Sequence, residues 1–370
     1  MEFSLPRSRI LTELDLAENV VEKKNTIPIL SNLLLETAGS ELHLSATDLQ
    51  LGLRCGIKAS VSEDGAAAVP ARRLLEIARS LPEAEVKFKL LENQWIHITC
   101  QRASFKLVGM ARDNYPALPE RPQQLAAIPV GTLRTMIQRT NFAIANEETR
   151  YTLNGALLLL KPEKVTMVAT DGHRLAHVER DVTVTGLNNE LRTLIPKKAM
   201  GEILRLLGQS EDEALVGFSK DENHLFFSVG DRLLISRGLT GQFPNYDAVL
   251  PRENNIALVL EKDRLAGAVR RVALLADERS RAIRIQIEDG QMNLTSSSGD
   301  YGEAQEALDT EYQGEKMQVG FNYQYLIDFF AAVGDGKIRI ELKDEQSAGQ
   351  FRPVEDGPYR YRYVVMPMRV

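Results

Sequence analysis

Ala169-Thr170-Asp171-Gly172-His173-Arg174-Leu175-Ala176 is the stretch from which this chain is read, because it has an echo on either side. Ala46-Thr47-Asp48-Leu49-Gln50 stands upstream of it and, more weakly, Ser296-Ser297-Ser298-Gly299-Asp300 downstream. Each follows a short alternating apolar run, at 42–45, 165–168 and 291–295, that reads as a strand, so each marks a strand end turning a corner. A second marker tests the idea independently. Pro70-Ala71-Arg72-Arg73, Pro196-Lys197-Lys198-Ala199 and Phe321-Asn322-Tyr323-Gln324 each open a run of helical period. Both markers recur at about 125 residues, longer than a solenoid unit, so the repeats are whole small domains.

A chain of 370 residues with 44% apolar content can bury three modest cores. The joins are expected in the proline-bearing connectors at 114–119 and 242–251, which gives domains at 1–122, 123–251 and 252–370. Within a repeat the order is helix, strands, helix, strands, with helices predicted over 6–22, 70–79, 129–141, 196–207, 261–272 and 321–333. The fold class is therefore α+β, three repeated helix-on-antiparallel-sheet domains. Unpaired sheet edges invite aggregation, and one remedy is to pair each with the next domain or subunit until the structure closes. A ring is the natural closed form.

The net charge of −6 argues against a nucleic-acid partner only until it is divided. The six helical stretches together carry +5, which leaves −11 for strands and loops. If the helices share a face, that face holds a polyanion while the rest repels it; otherwise the charges are scattered and solvated. Met1-Glu2-Phe3-Ser4-Leu5-Pro6 leads straight into a charged segment, and no apolar run approaches the ~18 residues of a membrane span, so a soluble intracellular protein is expected. Cys55 and Cys100 sit mid-strand without metal spacing and read as reduced core residues rather than a disulfide.

Motifs for the common reactions are missing: no phosphate-binding glycine loop, no His-Glu-x-x-His, no Cys-x-x-Cys, no Gly-x-Ser-x-Gly. Asp171 beside His173 could be a base and its orienter, but no nucleophile is marked near them; the plainer reading makes Asp171-Gly172 a corner, the carboxylate capping amides and the glycine taking a conformation others resist. The ending Tyr363-Val364-Val365-Met366-Pro367-Met368-Arg369-Val370 is either a closing strand or a surface that accepts apolar side chains, since Pro367 stops central pairing while the methionines stay apolar and adaptable.

Together these residues resemble the beta subunits of bacterial DNA polymerase III, the processivity sliding clamps. The matching features run from one end of the chain to the other: Thr26-Ile27-Pro28-Ile29-Leu30 with Asn32-Leu33-Leu34, the Ala46-Thr47-Asp48 corner, Arg150-Tyr151 with Leu153-Asn154-Gly155, Thr170-Asp171-Gly172-His173-Arg174-Leu175, Phe243-Pro244-Asn245-Tyr246 and Val365-Met366-Pro367-Met368-Arg369. The resemblance implies a non-catalytic, cofactor-free cytoplasmic protein, a head-to-tail homodimer closed into a six-domain ring around duplex DNA. Its contacts would be to phosphate and water rather than bases, so the ring slides while tethering the replicative polymerase.

By the same resemblance Lys24, Arg72, Arg73, Tyr151, Lys197, Lys198 and Arg205 lie nearest DNA, the alternative for each being a solvated surface position. A partner pocket would use Leu153, Thr170, Gly172, His173, Arg174, Leu175, Pro244, Val249, Val364, Met366, Pro367, Met368 and Arg369, taking a Gln-and-Leu/Phe linear motif from polymerase, clamp loader and repair or translesion factors. Leu175, Pro244, Val249 and the methionines would form the floor, and His173 and Arg174 would donate at the rim. Thr152, Lys24, Ala248 and Ser280 depart from the best-known members and bear on motif preference rather than fold. Phe105 and Leu107 against Leu274 and Leu275 would form the dimer seam, unless they are core. Two further readings stand beside this one: a hydrolase built on Asp171 and His173, and a monomeric scaffold that binds the same peptides without encircling DNA.

Overall fold

The computed structural model describes residues 1–21, 27–146, 150–251, 253–355 and 357–369. Lys24, one of the expected DNA contacts, lies outside the described residues. Among the described residues six α-helices each start where a strand stops: α1 (Arg7–Glu18) after the strand Glu2–Pro6, α2 (Ala71–Ser80) after Gly65–Pro70 and α3 (Val130–Thr140) after Ala126–Pro129. In the same way α4 (Lys197–Leu207) follows Leu191–Pro196, α5 (Lys262–Ala273) follows Ile256–Glu261, and α6 (Tyr323–Ala332) follows Met317–Asn322. Four of these strands end on proline, with φ of −59° at Pro6 and −57° at Pro70. The ring fixes φ at a value that serves both the last strand residue and the entry to a helix, and its missing N–H falls where the ladder ends. At α6 a different device does the same job, Asn322 Oδ1 accepting from the Gln324 amide at 2.9 Å.

Helix α1 ends sooner than its apolar periodicity predicts. Asn19 follows it with its Nδ2 donating to the Asp15 carbonyl at 2.8 Å, the Val20 amide donates to the Ala17 carbonyl at 3.0 Å, and Val20 and Val21 stay buried beyond the helix end. Asparagine competes for backbone partners in this way and stops helices readily.

The chain divides into two compact units, one of residues 1–134, 185–187 and 198–238, the other of 135–184, 188–197 and 239–370. Three sequence repeats give two units because strands from neighbouring repeats join in common sheets. In the first unit an eight-stranded antiparallel sheet pairs Arg232–Arg237 of the central repeat with Leu51–Lys58 of the first. In the second unit another pairs Arg174–Asp181 of the central repeat with Arg360–Val365 of the third. The edge problem posed by the sequence is met at these two seams. A five-stranded sheet completes the first unit and ends on Ala103–Val108; a four-stranded sheet completes the second and ends on Gly302–Asp309.

Charge and aromatic packing hold the two cores. In the first unit Glu13 on α1 is buried and accepts from Arg232 at 2.5 and 2.8 Å, tying helix to sheet; removing either partner would strand a charge in the core. Cys55 beside this pair and Cys100 are both buried and form no disulfide, and burial followed by the Glu13 carboxylate pushes the Cys55 thiol well up. In the second unit Phe329 on α6 stacks on Tyr363 at 5.0 Å, and the Tyr363 hydroxyl donates to the Tyr325 carbonyl at 2.9 Å. Among the described residues no helix is long and apolar enough to cross a membrane.

Candidate functional site

The corner at 170–174 is fixed by its own side chains. Thr170 Oγ1 donates to the Arg174 carbonyl at 2.6 Å and accepts from the Gly172 amide at 3.1 Å. Asp171 Oδ1 accepts from the amides of His173 at 2.9 Å and Arg174 at 3.0 Å. Gly172 has φ of +91°, a left-handed conformation that glycine takes without strain, and a Cβ there would meet only the movable end of Arg150, Nη1 at 2.7 Å. The carboxylate of Asp171 is thus occupied by backbone and by Arg174 Nε at 3.0 Å, the use the corner reading predicted for it.

Beside this corner the second unit holds an apolar cavity of about 140 Å³ lined by Leu153, Thr170, Gly172, His173, Arg174, Leu175, Pro244, Tyr246, Val249, Val364 and Met366. Leu175 and Val364 are neighbours across adjacent strands, and beneath them Leu157, Val168 and Leu194 form one buried cluster with Phe243, Tyr246 and Leu250 packed against it. The floor is therefore rigid sheet. The far wall is the segment that follows Leu239, held down by the Tyr246 ring over His177 at 5.6 Å between centroids. Val249 and Met366 remain 44% exposed, which leaves apolar surface open to a ligand. The Met366 amide donates to the His173 carbonyl at 2.8 Å and fixes that end of the wall.

Ten of the thirteen residues expected at the pocket meet around this cavity. Pro367, Met368 and Arg369 do not line it; Met368 forms a bridge to Gly320, its amide donating to that carbonyl at 2.8 Å, and this leads the chain end to a different, more polar cavity. Tyr246 lines it although it was not among the expected pocket residues, and its place in the Phe243-Pro244-Asn245-Tyr246 stretch beside Pro244 was the available signal. Arg174 is also not the rim donor expected. Its Nη1 donates to Asp328 Oδ2 at 2.6 Å, its Nη2 to the Phe142 carbonyl at 2.6 Å, and its guanidinium lies 4.3 Å from the Tyr325 ring. Burial lowers its pKa, but Tyr363, Asp328 and Asp171 outweigh that and hold it above the ordinary value, so the side chain is a locked cationic wall. His173 is exposed and keeps its place at the rim.

The residues expected nearest DNA are placed less simply. Tyr151 is 73% exposed in a short turn. Arg72 and Arg73 stand on the exposed side of α2, both paired to Glu76, at 3.1 and 2.6 Å. Lys198 pairs with Asp48, and Arg205 with Glu202. Lys197 donates to Asn146 Oδ1 at 2.6 Å, and burial holds its pKa below the ordinary lysine value. The formal positive charge of the helices thus overstates what is free, since four of these cations already face a carboxylate. The Arg72 and Arg73 pairs with Glu76 are exposed, and pairs of this kind are weak and exchange readily for a stronger anion, whereas Asp48 and Glu202 are buried. Phe105 and Leu107 are half-buried in the end strand Ala103–Val108, and Leu274, just past α5, is 79% exposed with Leu275 half-buried beside it.

Residues 1–119, 127–245 and 247–369 match the N-terminal, central and C-terminal domains of the DNA polymerase III beta subunit. The chain belongs to that family. It is 34% identical to the beta sliding clamp of Pseudomonas aeruginosa and 32% identical to that of Escherichia coli, in each case over the full length of both chains. A crystal structure of the Pseudomonas aeruginosa DNA polymerase III subunit beta superposes with a TM-score of 0.93 at 33% identity, covering both chains completely. A Bacillus subtilis sliding clamp, at 23% identity and a TM-score of 0.92, shares the fold. The α+β architecture described above is accordingly the three-domain clamp fold.

Proposed function

We propose that the chain is a replicative processivity factor that acts as a head-to-tail homodimer, a six-domain ring around duplex DNA. On this reading its domains are 1–122, 123–251 and 252–370. The seam forms between the end strand carrying Phe105 and Leu107 and the third-domain surface carrying Leu274 and Leu275. The ring performs no chemistry; it slides on phosphate contacts made by Lys24, Arg72, Arg73, Tyr151, Lys197, Lys198 and Arg205. It belongs in the cytoplasm, where the replicative polymerase, clamp loader and repair or translesion factors dock.

The observation that carries the proposal is the apolar cavity beside the Asp171 corner, in a chain matched by this family from end to end. Leu175, Val364, Val249 and Met366 offer an apolar floor and wall for the Leu or Phe of a linear motif, and His173 offers a donor at the rim. Because all clients share one cavity, they compete. The test has two parts: sedimentation at micromolar concentration, which should give twice the 41.4 kDa chain mass, and displacement of a labelled Gln-and-Leu-Phe peptide by each client. A single-chain mass with normal peptide binding would favour the monomeric scaffold instead.

A further inference from the structure

The sheet face that floors the apolar cavity continues into a second cavity of about 400 Å³, whose walls include Pro251, Asn254, Glu341, Gln350, Arg352 and Arg362. Two walls lead from one cavity to the other. Along the last strand Val364 lines the first and Arg362 the second, two residues on and therefore on the same face, about 7 Å away. Along the connector Val249 lines the first and Pro251 the second. Gln350 lies directly across from Val364 in the strand register.

The chemistry of the second cavity is cationic and incomplete. Arg352 is spoken for by Glu341 at 3.1 Å, and nearby Arg360 by Glu179 and Asp181 at 2.8 and 2.6 Å. Arg362 forms no ion pair among the described residues, although it is half-buried. Gln350 is 7% exposed; its Nε2 donates to Glu341 Oε2 at 2.5 Å, which orients the amide, and its Oε1 is buried with no hydrogen-bond partner. A buried acceptor without a donor costs free energy until a ligand or water supplies one. The site therefore asks for an anion and an N–H or O–H donor close together. The larger cavity of the first unit makes no such demand, since its Arg112 and Glu36 already pair at 3.0 Å.

We propose that the arginine-lined cavity is a second subsite for the docking peptide, receiving an Asp or Glu that flanks the apolar anchor. The carboxylate pairs with Arg362, and a peptide N–H supplies the donor that Gln350 Oε1 lacks. An extended peptide brings both groups on one chain and reaches from Val364 to Arg362 within two residues. The inference rests on the reading of the apolar cavity as a peptide site.

The test compares two labelled peptides with the same Gln and Leu-Phe anchor, one with Ser-Gly flanks and one with Asp-Glu flanks, by fluorescence polarisation on the full-length protein. The acidic peptide should bind roughly fivefold more tightly at about 50 mM salt, and most of that advantage should vanish at about 500 mM. Arg362→Ala should erase the advantage and leave the neutral peptide within about twofold of its original affinity, while Arg362→Lys should keep part of the advantage. An equal affinity for both peptides, or an advantage that survives Arg362→Ala, overturns the second subsite while the apolar one stands. Failure of both peptides to bind removes the apolar site and the second subsite with it.

Discussion

The corners at Thr47-Asp48 and Thr170-Asp171 are made with the same hydrogen bonds. Thr47 Oγ1 donates to the Leu51 carbonyl at 2.7 Å and accepts from the Leu49 amide at 3.0 Å, and Asp48 Oδ1 accepts from Gln50 and Leu51 at 2.9 and 2.6 Å. The pattern matches that of the second corner atom for atom, and Leu49 holds φ of +73° where Gly172 holds +91°. What differs is the next position. There the first corner has Gly52, with Leu118 of the connector so close that a Cβ would meet it at 2.7 Å; the second has Leu175, the floor of the cavity. The connectors differ likewise. Tyr115 is buried, its hydroxyl donating to the Ser45 carbonyl at 3.1 Å, whereas Tyr246 is half-buried on the His177 ring. The corner itself is scaffold, and the ability to dock comes from a large residue after it with a connector that stands off.

The largest expected contrast is in peptide affinity. Met366→Asp puts a charge on the apolar wall and should weaken a labelled peptide about 100-fold, close to 3 kcal/mol, whereas Leu49→Asp at the other corner should leave it within about twofold. Comparable losses from both would break the distinction between scaffold and site. Next come the carboxylates. Asp171→Ala and Asp48→Ala each remove the carboxylate oxygen that accepts from two backbone amides, together with an ion pair, and urea unfolding should show each losing about 2–4 kcal/mol. Peptide affinity should fall, roughly tenfold, in Asp171→Ala alone.

Smaller effects sharpen the backbone comparison. Leu49→Gly relieves a left-handed leucine at an exposed position and should stabilise the protein by up to about 1 kcal/mol, while Gly172→Ala should cost about 1–2 kcal/mol. A stability loss in Leu49→Gly would mean that its side chain contributes more than its backbone costs. The smallest effect is in pH. Burial holds the His177 pKa below the ordinary histidine value, so the unfolded chain takes up the proton first. The stability from neutral His177 is complete above pH of about 6.5 and is lost as pH falls from there toward the lower folded value. His177→Gln removes the titrating ring and should flatten that slope.

Local chemistry made much of this legible. The two Thr-Asp corners, the proline at four strand ends and the alternating strands follow from neighbours in sequence, and each forms where its pattern lies. What stayed hidden depends on distant partners. Arg174 reads as a free rim donor until Asp328, 154 residues away, is seen to hold it. Lys198 looks uncommitted in a charge count because nothing local reveals that Asp48 faces it, whereas the Glu76 and Glu202 partners of Arg72, Arg73 and Arg205 lie within one helical turn. Met368 reads as part of the pocket until its pairing with Gly320 turns the chain end aside. The left-handed Leu49 was concealed by its identity, since a corner of that shape ordinarily announces itself with glycine or asparagine.

The ring is tested most directly by topology. The protein would be loaded with its matched clamp loader and ATP onto nicked circular plasmid, the salt raised, and half of the sample linearised. Phosphate contacts weaken with salt in either form, so only enclosure distinguishes the two. A ring that encloses DNA stays on circles and is lost from linear molecules through their ends. Equal retention on both would contradict enclosure and leave an ordinary surface binder.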